Sequence, residues 1–256
     1  MNKISVYIIT FNEINKLKAA LESVLWADEV IVVDSHSTDG TIELAQSLGA
    51  RVVQVDFQGF GHLRNEALKA CSHDWIFSLD SDERCTLEAK NEILEIVHSK
   101  NPQHLVWFMP RRNYFMGRWI RYSGFYPDYR QPQLFQKETM RYGMEKVHET
   151  FEILGNHTPG YLQNPIWQIP YWDFAEFQHK ANRYSSLSAK KLKEQGKSST
   201  VSYAFLRAIA SFFKFYFVKR GFLDGWAGLV IALGNFEGTF YKYAKLRELD
   251  AKWGEP

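Results

Sequence analysis

The stretch "FSLDSDERCT", residues 77–86, brings an apolar run to a stop on carboxylates. The run Trp75-Ile76-Phe77-Ser78-Leu79 is followed by Asp80 and Asp82, spaced one apart, with Glu83 beside them. A short run of this kind reads as a strand buried on both faces. Three segments upstream read the same way: Ile4 to Thr10, "EVIVVD" at Glu29 to Asp34, and Arg51 to Val55. Helical spacing separates them. Leu17, Ala20, Leu21, Val24 and Leu25 line one face of a helix over Asn15 to Trp26. A second helix covers Thr38 to Leu48, with Thr38 or Asp39 as N-cap and Gly49 as its stop. Helices over Gly61 to Ala70 and Leu87 to His98 complete the series. This β-α alternation predicts a parallel sheet with helices on both faces.

Open sheets of this kind bind ligands beyond the carboxyl ends of their strands. The first strand ends in Thr10-Phe11-Asn12-Glu13 and the second in Asp34-Ser35-His36-Ser37-Thr38-Asp39-Gly40. The fourth ends in Asp80-Ser81-Asp82-Glu83. Acids and hydroxyls on three strand ends of one edge point to a binding site. Aspartates one apart can divide their labour: one accepts hydrogen bonds from sugar hydroxyls, the other ligates a hard cation. Mg²⁺ and Mn²⁺ take carboxylate oxygens, usually together with substrate phosphates. The competing reading is that Asp80 and Asp82 cap the helix that starts near Thr86.

Composition sets the bounds. The chain has 256 residues, 45% hydrophobic and 23% charged, enough to bury a core and too apolar for disorder. The net charge of +2 conceals an asymmetry, because residues 178–256 hold 14 Lys/Arg against 6 Asp/Glu. That part suits an anionic partner such as a phospholipid surface. No nucleic-acid partner is expected. Cys71 and Cys85 lack metal-type spacing and suit a reducing cytosol. The chain begins directly on a strand-like segment, so no signal peptide is expected. No apolar run is long and unbroken enough to predict a transmembrane helix.

From Leu105 onward the chain is dense in aromatics and arginines and reads as strands and irregular loops extending the sheet. Gly155, Pro159, Gly160, Pro165 and Pro170 mark a loop crossing. Helices follow over Asp173 to Gln195, Val201 to Val218 and Gly225 to Leu249.

The stretches "ISVYIITFNE", "WADEVIVVDSHSTDGT", "GFGHLRNEAL" and "DWIFSLDSDE" resemble the nucleotide-sugar domain of family 2 glycosyltransferases. The likeness continues through "RRNYFMGRWIRYSGFYPD", "VHETF", "GFLDG" and "KYAKL". Those pieces resemble the bacterial lipopolysaccharide inner-core glucosyltransferases that add β-1,4-linked glucose to a heptose. The resemblance implies an α/β GT-A fold, with a Rossmann-like nucleotide-sugar domain, a mostly parallel central sheet and a C-terminal amphipathic helical extension. The expected division is 1–172 for the catalytic domain and 173–256 for the extension, with residues 1–100 the nucleotide-sugar half and 101–172 the acceptor half.

The resemblance also implies site roles. Thr10 and Phe11 sit near the uracil of a UDP-sugar and Asp34 bonds its edge, with Asn12, Glu13 and Ser81 in the same donor site. Arg64 lies near the nucleotide. Asp80 holds the ribose and shares with Asp82 the binding of Mg²⁺ or Mn²⁺. Family members often carry a histidine where Gln168 stands, so this chain needs another group, with His179 the candidate. Inverting transfer needs a carboxylate on the far side of the anomeric carbon. Glu149 in "KVHET" is the leading base, Asp128 the runner-up and Glu145 a weaker third. His148 assists with metal or phosphate.

Arg111, Arg112, Arg118 and Arg121 form an arginine cluster suited to phosphates or carboxylates of an acceptor, or else a solvated face. "YAFLRAIASFFKFYFVKRGFLDGW" at Tyr203 to Trp226 fits an amphipathic helix lying in a bilayer interface, or one packing on protein. The combined expectation is a metal-dependent hexosyltransferase, moving glucose from UDP-glucose to a lipopolysaccharide heptose. It would work as a peripheral protein on the cytoplasmic face of the bacterial inner membrane. Another lipid-linked or capsular polysaccharide acceptor is the alternative, as is a catalytically silent nucleotide-sugar-binding protein.

Overall fold

The computed structural model describes residues 1–143 and 150–251. Its first half alternates β1 (Ile4–Thr10), α1 (Ile14–Glu22), β2 (Glu29–Asp34), α2 (Thr41–Ser47), β3 (Arg51–Gln54), α3 (Phe60–Ala70) and β4 (Trp75–Asp80). β5 (Glu83–Arg84) and α4 (Leu87–His98) follow. β1 pairs in parallel with β2 on one side and β4 on the other, and β2 with β3. Alternate residues of β1 serve opposite layers, as the pleat requires. Ile4, Val6 and Ile8 pack with Leu17, Leu21 and Ile93 of α1 and α4. Tyr7 and Ile9 face the other way, with Leu63 and Ala67 of α3. Gly61 is required where α3 meets the following chain, since a Cβ there would stand 1.8 Å from the Gly143 carbonyl oxygen.

The later strands are β6 (Val106–Phe108), β7 (Arg111–Phe115), β8 (Arg118–Trp119), β9 (Pro132–Gln136), β10 (Met140–Tyr142), β11 (Phe151–Ile153), β12 (Gly160–Tyr161) and β13 (Ile166–Gln168). Among the described residues the main sheet runs β12-β6-β9-β4-β1-β2-β3, with β9 antiparallel to both neighbours. The expected extension of the sheet by later strands is therefore present, and β9 makes it antiparallel. β12 and β13 interrupt what the Gly/Pro pattern marked as a plain loop crossing.

The chain forms two compact units, Met1–Arg112 with Asp128–Gln168, and Asn113–Pro127 with the chain from Ile169 onward. The second holds α5 (Phe174–Glu194), α6 (Val201–Phe213) and α7 (Gly225–Glu248), around Phe115, Ile120, Ala227 and Ile231. Asn113–Pro127 belongs with these helices because the buried Asp224 carboxylate accepts from the backbone N–H groups of Arg121 and Tyr122 and from the Ser123 hydroxyl.

Two helix boundaries differ from expectation. α1 stops at Glu22, and α2 starts at Thr41 with Gly40 at φ +93° as its cap, in place of Thr38 or Asp39. Asp39 instead accepts from the N–H groups of Ile14 and Thr41, a tertiary contact that propensity does not encode. Val201–Val218 has 18 residues at mean hydropathy 1.3, long and apolar enough to cross a bilayer by length and composition. Arg207 and Lys214 break the apolar run without cancelling it.

Candidate active site

Parallel pairing puts the carboxyl ends of β1, β2 and β4 on one edge, with Thr10 opposite Asp34 and Ile9 opposite Asp80. Asp34 is fully buried and accepts from the Ser37 N–H at 2.7 Å and from the Ser37 hydroxyl. The Ser37 hydroxyl oxygen accepts from the Asn12 N–H at 2.7 Å, and Asn12 Oδ1 accepts from the Thr38 N–H at 2.9 Å. The loops after β1 and β2 are thereby stitched together, with Asn12 (φ 52°) and His36 (φ 62°) in the left-handed region. The buried hydroxyls of Thr10 and Ser35 have no partner among the described residues. Phe11 is 57% exposed beside them, and Glu13 pairs with the buried Lys16 at 3.2 Å. Thr10, Phe11, Asn12, Glu13 and Asp34 thus lie together where β1 and β2 end.

Asp80 is fixed from two sides. Its Oδ1 accepts from Arg64 Nη2 at 2.8 Å, while Arg64 Nη1 donates to the Ser78 hydroxyl at 3.1 Å. Arg64 is only 2% exposed and its guanidinium lies 5.6 Å from the Tyr142 ring centre. It is no surface helix arginine. The Asp80 N–H donates to Glu83 Oε2 at 3.0 Å.

Glu83 is 1% exposed, and its other oxygen accepts from Arg111 Nε at 2.6 Å. Gln133 Nε2 adds a bond to Oε2 at 2.9 Å. Burial, joined by the neighbouring Asp80 and Asp82 carboxylates, raises the Glu83 carboxyl to about 7 against the pull of Arg111. Three N–H donors reach it, from Asp80, Arg111 and Gln133. Glu83 thus ties the Asp80 backbone to Arg111 and Gln133. Arg111, placed by sequence with the acceptor arginines, is instead spent on Glu83. Nothing in its local sequence signals that.

The capping alternative for the aspartates fails. Thr86 is itself the N-cap of α4, its hydroxyl accepting from the Ala89 N–H at 3.1 Å. Asp82 is half-buried, and the Gln168 Nε2 lies 3.5 Å from both its oxygens because β13 pairs with β5, Gln168 opposite Glu83. Gln168 Oε1 is buried with no partner among the described residues. No group of three or more His, Cys, Asp or Glu side chains is placed to hold a metal among the described residues. The groups at this strand end that could serve a cation are the Asp80 and Asp82 carboxylates, with the Gln168 amide beside Asp82. These are hard oxygens, few in number, which fits Mg²⁺ or Mn²⁺ completing its shell with phosphates and water.

Asp128 Oδ2 pairs with Arg130 at 2.7 Å, and its carbonyl accepts from Arg111 Nη1 at 3.3 Å. Arg112 is half-buried in the sheet unit. Arg118 and Arg121 are exposed residues of the helical unit, the Arg121 guanidinium 5.8 Å from the Trp119 ring centre. His179 is exposed on α5. Ser81 is buried beside Asp80. Glu149, His148 and Glu145 lie outside the described residues.

The family model described as glycosyl transferase family 2 matches residues 5–155. The chain belongs to that family. It is a glycosyltransferase, and its mixed α/β architecture with a mostly parallel sheet agrees with the expected GT-A fold. An uncharacterized glycosyltransferase of Rickettsia bellii is 32% identical over 96% of this chain and 87% of its own length. The lipopolysaccharide core biosynthesis glycosyltransferase LpsC of Rhizobium meliloti is 28% identical, over 99% of this chain and 95% of its own. A solved glucosyl-3-phosphoglycerate synthase of Mycobacterium tuberculosis, in complex with Mn²⁺, UDP and glucosyl-3-phosphoglycerate, is 27% identical over 43% of this chain and 44% of its own, with a TM-score of 0.38.

Proposed function

We propose that this glycosyltransferase moves glucose from UDP-glucose, with inversion, to a heptose of the lipopolysaccharide inner core. It works on the cytoplasmic face of the bacterial inner membrane and uses Mg²⁺ or Mn²⁺. The carrying observation is the carboxylate assembly at three adjacent strand ends, with Asp80 held by Arg64 and by Glu83. Such an edge is where a parallel sheet presents polar groups to a ligand. The near full-length likeness to a lipopolysaccharide core glycosyltransferase supports the acceptor class.

In this reading Asp34 bonds the base edge of the nucleotide, and the hydroxyls of Thr10 and Ser35 offer further polar contacts. Asp80 takes the ribose hydroxyls on the side that Arg64 leaves open. Asp82, with Asp80 and Gln168, would hold the divalent cation, which would supply positive charge to the diphosphate leaving group. Glu149 removes the proton of the acceptor hydroxyl as that oxygen attacks an oxocarbenium-like anomeric carbon. Asp128 is the alternative base, with Arg130 on one of its oxygens. Arg112, Arg118 and Arg121 contact anionic groups of the acceptor.

Glu149→Gln is the test of the base. The variant is expected to bind UDP-glucose with unchanged affinity by calorimetry and to lose transfer. An unchanged kcat would move the base to Asp128.

A further inference from the structure

We propose that α6 and the start of α7 form an in-plane anchor that beds into the interface of an anionic bilayer without crossing it. This deepens the membrane-surface reading above and rests on it. α6 continues through a π-helical turn, Lys214–Val218, then a 3₁₀ turn, Gly221–Asp224, and returns as α7. The two helices lie antiparallel, since the Ser211 hydroxyl donates to the Asn235 carbonyl at 3.3 Å and Phe205 meets Phe236 at 6.1 Å. Their facing sides are small and buried at Ala204, Ala208, Ala227 and Ala232. The turn closes tightly, for a Cβ on Gly228 would stand 1.9 Å from the Gly221 carbonyl oxygen.

The outer sides are apolar and uncovered. On α6 and its continuation, Leu206, Phe213 and Phe217 are 64%, 54% and 50% exposed and share one helical stripe. Trp226, Leu229 and Leu233 repeat that pattern on α7, and Phe222 and Leu223 join the stripes at the turn. Large apolar side chains exposed in this number, gathered toward the turn by Phe213, Phe217, Phe222, Leu223 and Trp226, mark an interaction face. Lys214, Lys219 and Arg220 are exposed within it, and residues 178–256 carry 14 basic against 6 acidic residues. Aromatic and leucine side chains with lysine and arginine among them fit the boundary between acyl chains and anionic headgroups.

The hairpin's own pairing argues against a crossing. At about 1.5 Å per residue, Val201–Val218 could span most of a hydrocarbon core. Ser211, midway along it, is bonded to the α7 positions Asn235 and Thr239, which flank Glu237. Arg207 stacks over Tyr243, with Lys242 over the same ring. A spanning α6 would carry Glu237 and Lys242 into the apolar layer, whereas an in-plane hairpin leaves them at the protein side.

The test uses Phe217→Cys labelled with an environment-sensitive nitrobenzoxadiazole dye, since Cys71 and Cys85 are buried and would not compete. With phosphatidylglycerol-containing vesicles the dye should shift to the blue, be quenched best by shallow spin-labelled lipid, and bind at least tenfold more strongly than to phosphatidylcholine. Reversing Lys219 and Arg220 to Glu should remove that preference, at roughly fivefold per basic charge lost. Alkaline carbonate should strip the bound protein. Deepest quenching at the bilayer centre with carbonate resistance would mean a spanning helix. Equal binding to both lipids would remove the anionic component, and no shift together with a dimer in sedimentation would assign the face to a second copy. Any of these overturns the proposal. Hexose transfer to a delipidated core oligosaccharide, measured on the same variants with circular dichroism as the folding control, reports on the catalytic reading separately.

Discussion

Removing the Glu83 carboxylate leaves the Arg111 guanidinium, 2% exposed, without its 2.6 Å partner. An uncompensated buried charge costs about 3–5 kcal/mol, so Glu83→Ala should lower the denaturation free energy by that order, read from urea titration. Asp82→Ala should behave differently. Asp82 is half-buried with the Gln168 amide 3.5 Å from its oxygens, and the variant is expected to lose Mg²⁺-dependent transfer, with circular dichroism as the folding control. Wild-type turnover in that variant would remove Asp82 from the metal site. The two aspartates were legible in the sequence because they stand directly after an apolar run. Arg111 was not, because its partner lies 28 positions away and no pattern links an arginine at a strand start to a particular acid. Arg64 was legible only as an arginine near the site; its burial beneath Tyr142 comes from tertiary packing.

At the level of elements, the opposite end of the sheet has its own clasp. Glu29, at the start of β2, accepts from the Ser5 hydroxyl at 2.5 Å, the Ser72 N–H and hydroxyl at 2.8 Å, and Arg51 at 3.0 Å. Burial alone would raise its carboxyl, but these donors outweigh it and hold it at about 2, against an ordinary 4.5. A depressed folded-state value means stability present above 4.5 and lost as pH falls toward 2. Melting temperature should therefore fall across that window, and Glu29→Gln should flatten the fall; an unaltered acid profile would exclude Glu29 as its source. The Thr86 cap gives a second check, with Thr86→Ala expected to cost about 1 kcal/mol. Strands β1, β2 and β4 were legible nearly to the residue, because each apolar run ends on polar side chains. The start of α2 was not, because Asp39 is drawn to Ile14 of another element and Gly40 takes the left-handed turn instead.

At the scale of the molecule, the sheet unit carries the carboxylate-bearing strand ends and the helical unit the exposed aromatic residues and the excess of basic over acidic side chains. The alternation of runs and helical spacing made the first unit legible. The second was visible as helices, but Asp224, reaching back to Arg121–Ser123, recruits Asn113–Pro127 into it through contacts about a hundred positions apart that no local pattern encodes. The most direct measurement incubates the protein with a panel of UDP-sugars and lipopolysaccharides truncated at the inner core, with and without a chelator, and reads the product by mass. The account predicts addition of one hexose, from UDP-glucose, to the heptose-terminated acceptor, lost on chelation and restored by Mg²⁺ or Mn²⁺. Transfer that persists without a divalent cation, or that ignores the heptose acceptor in favour of another, would contradict it.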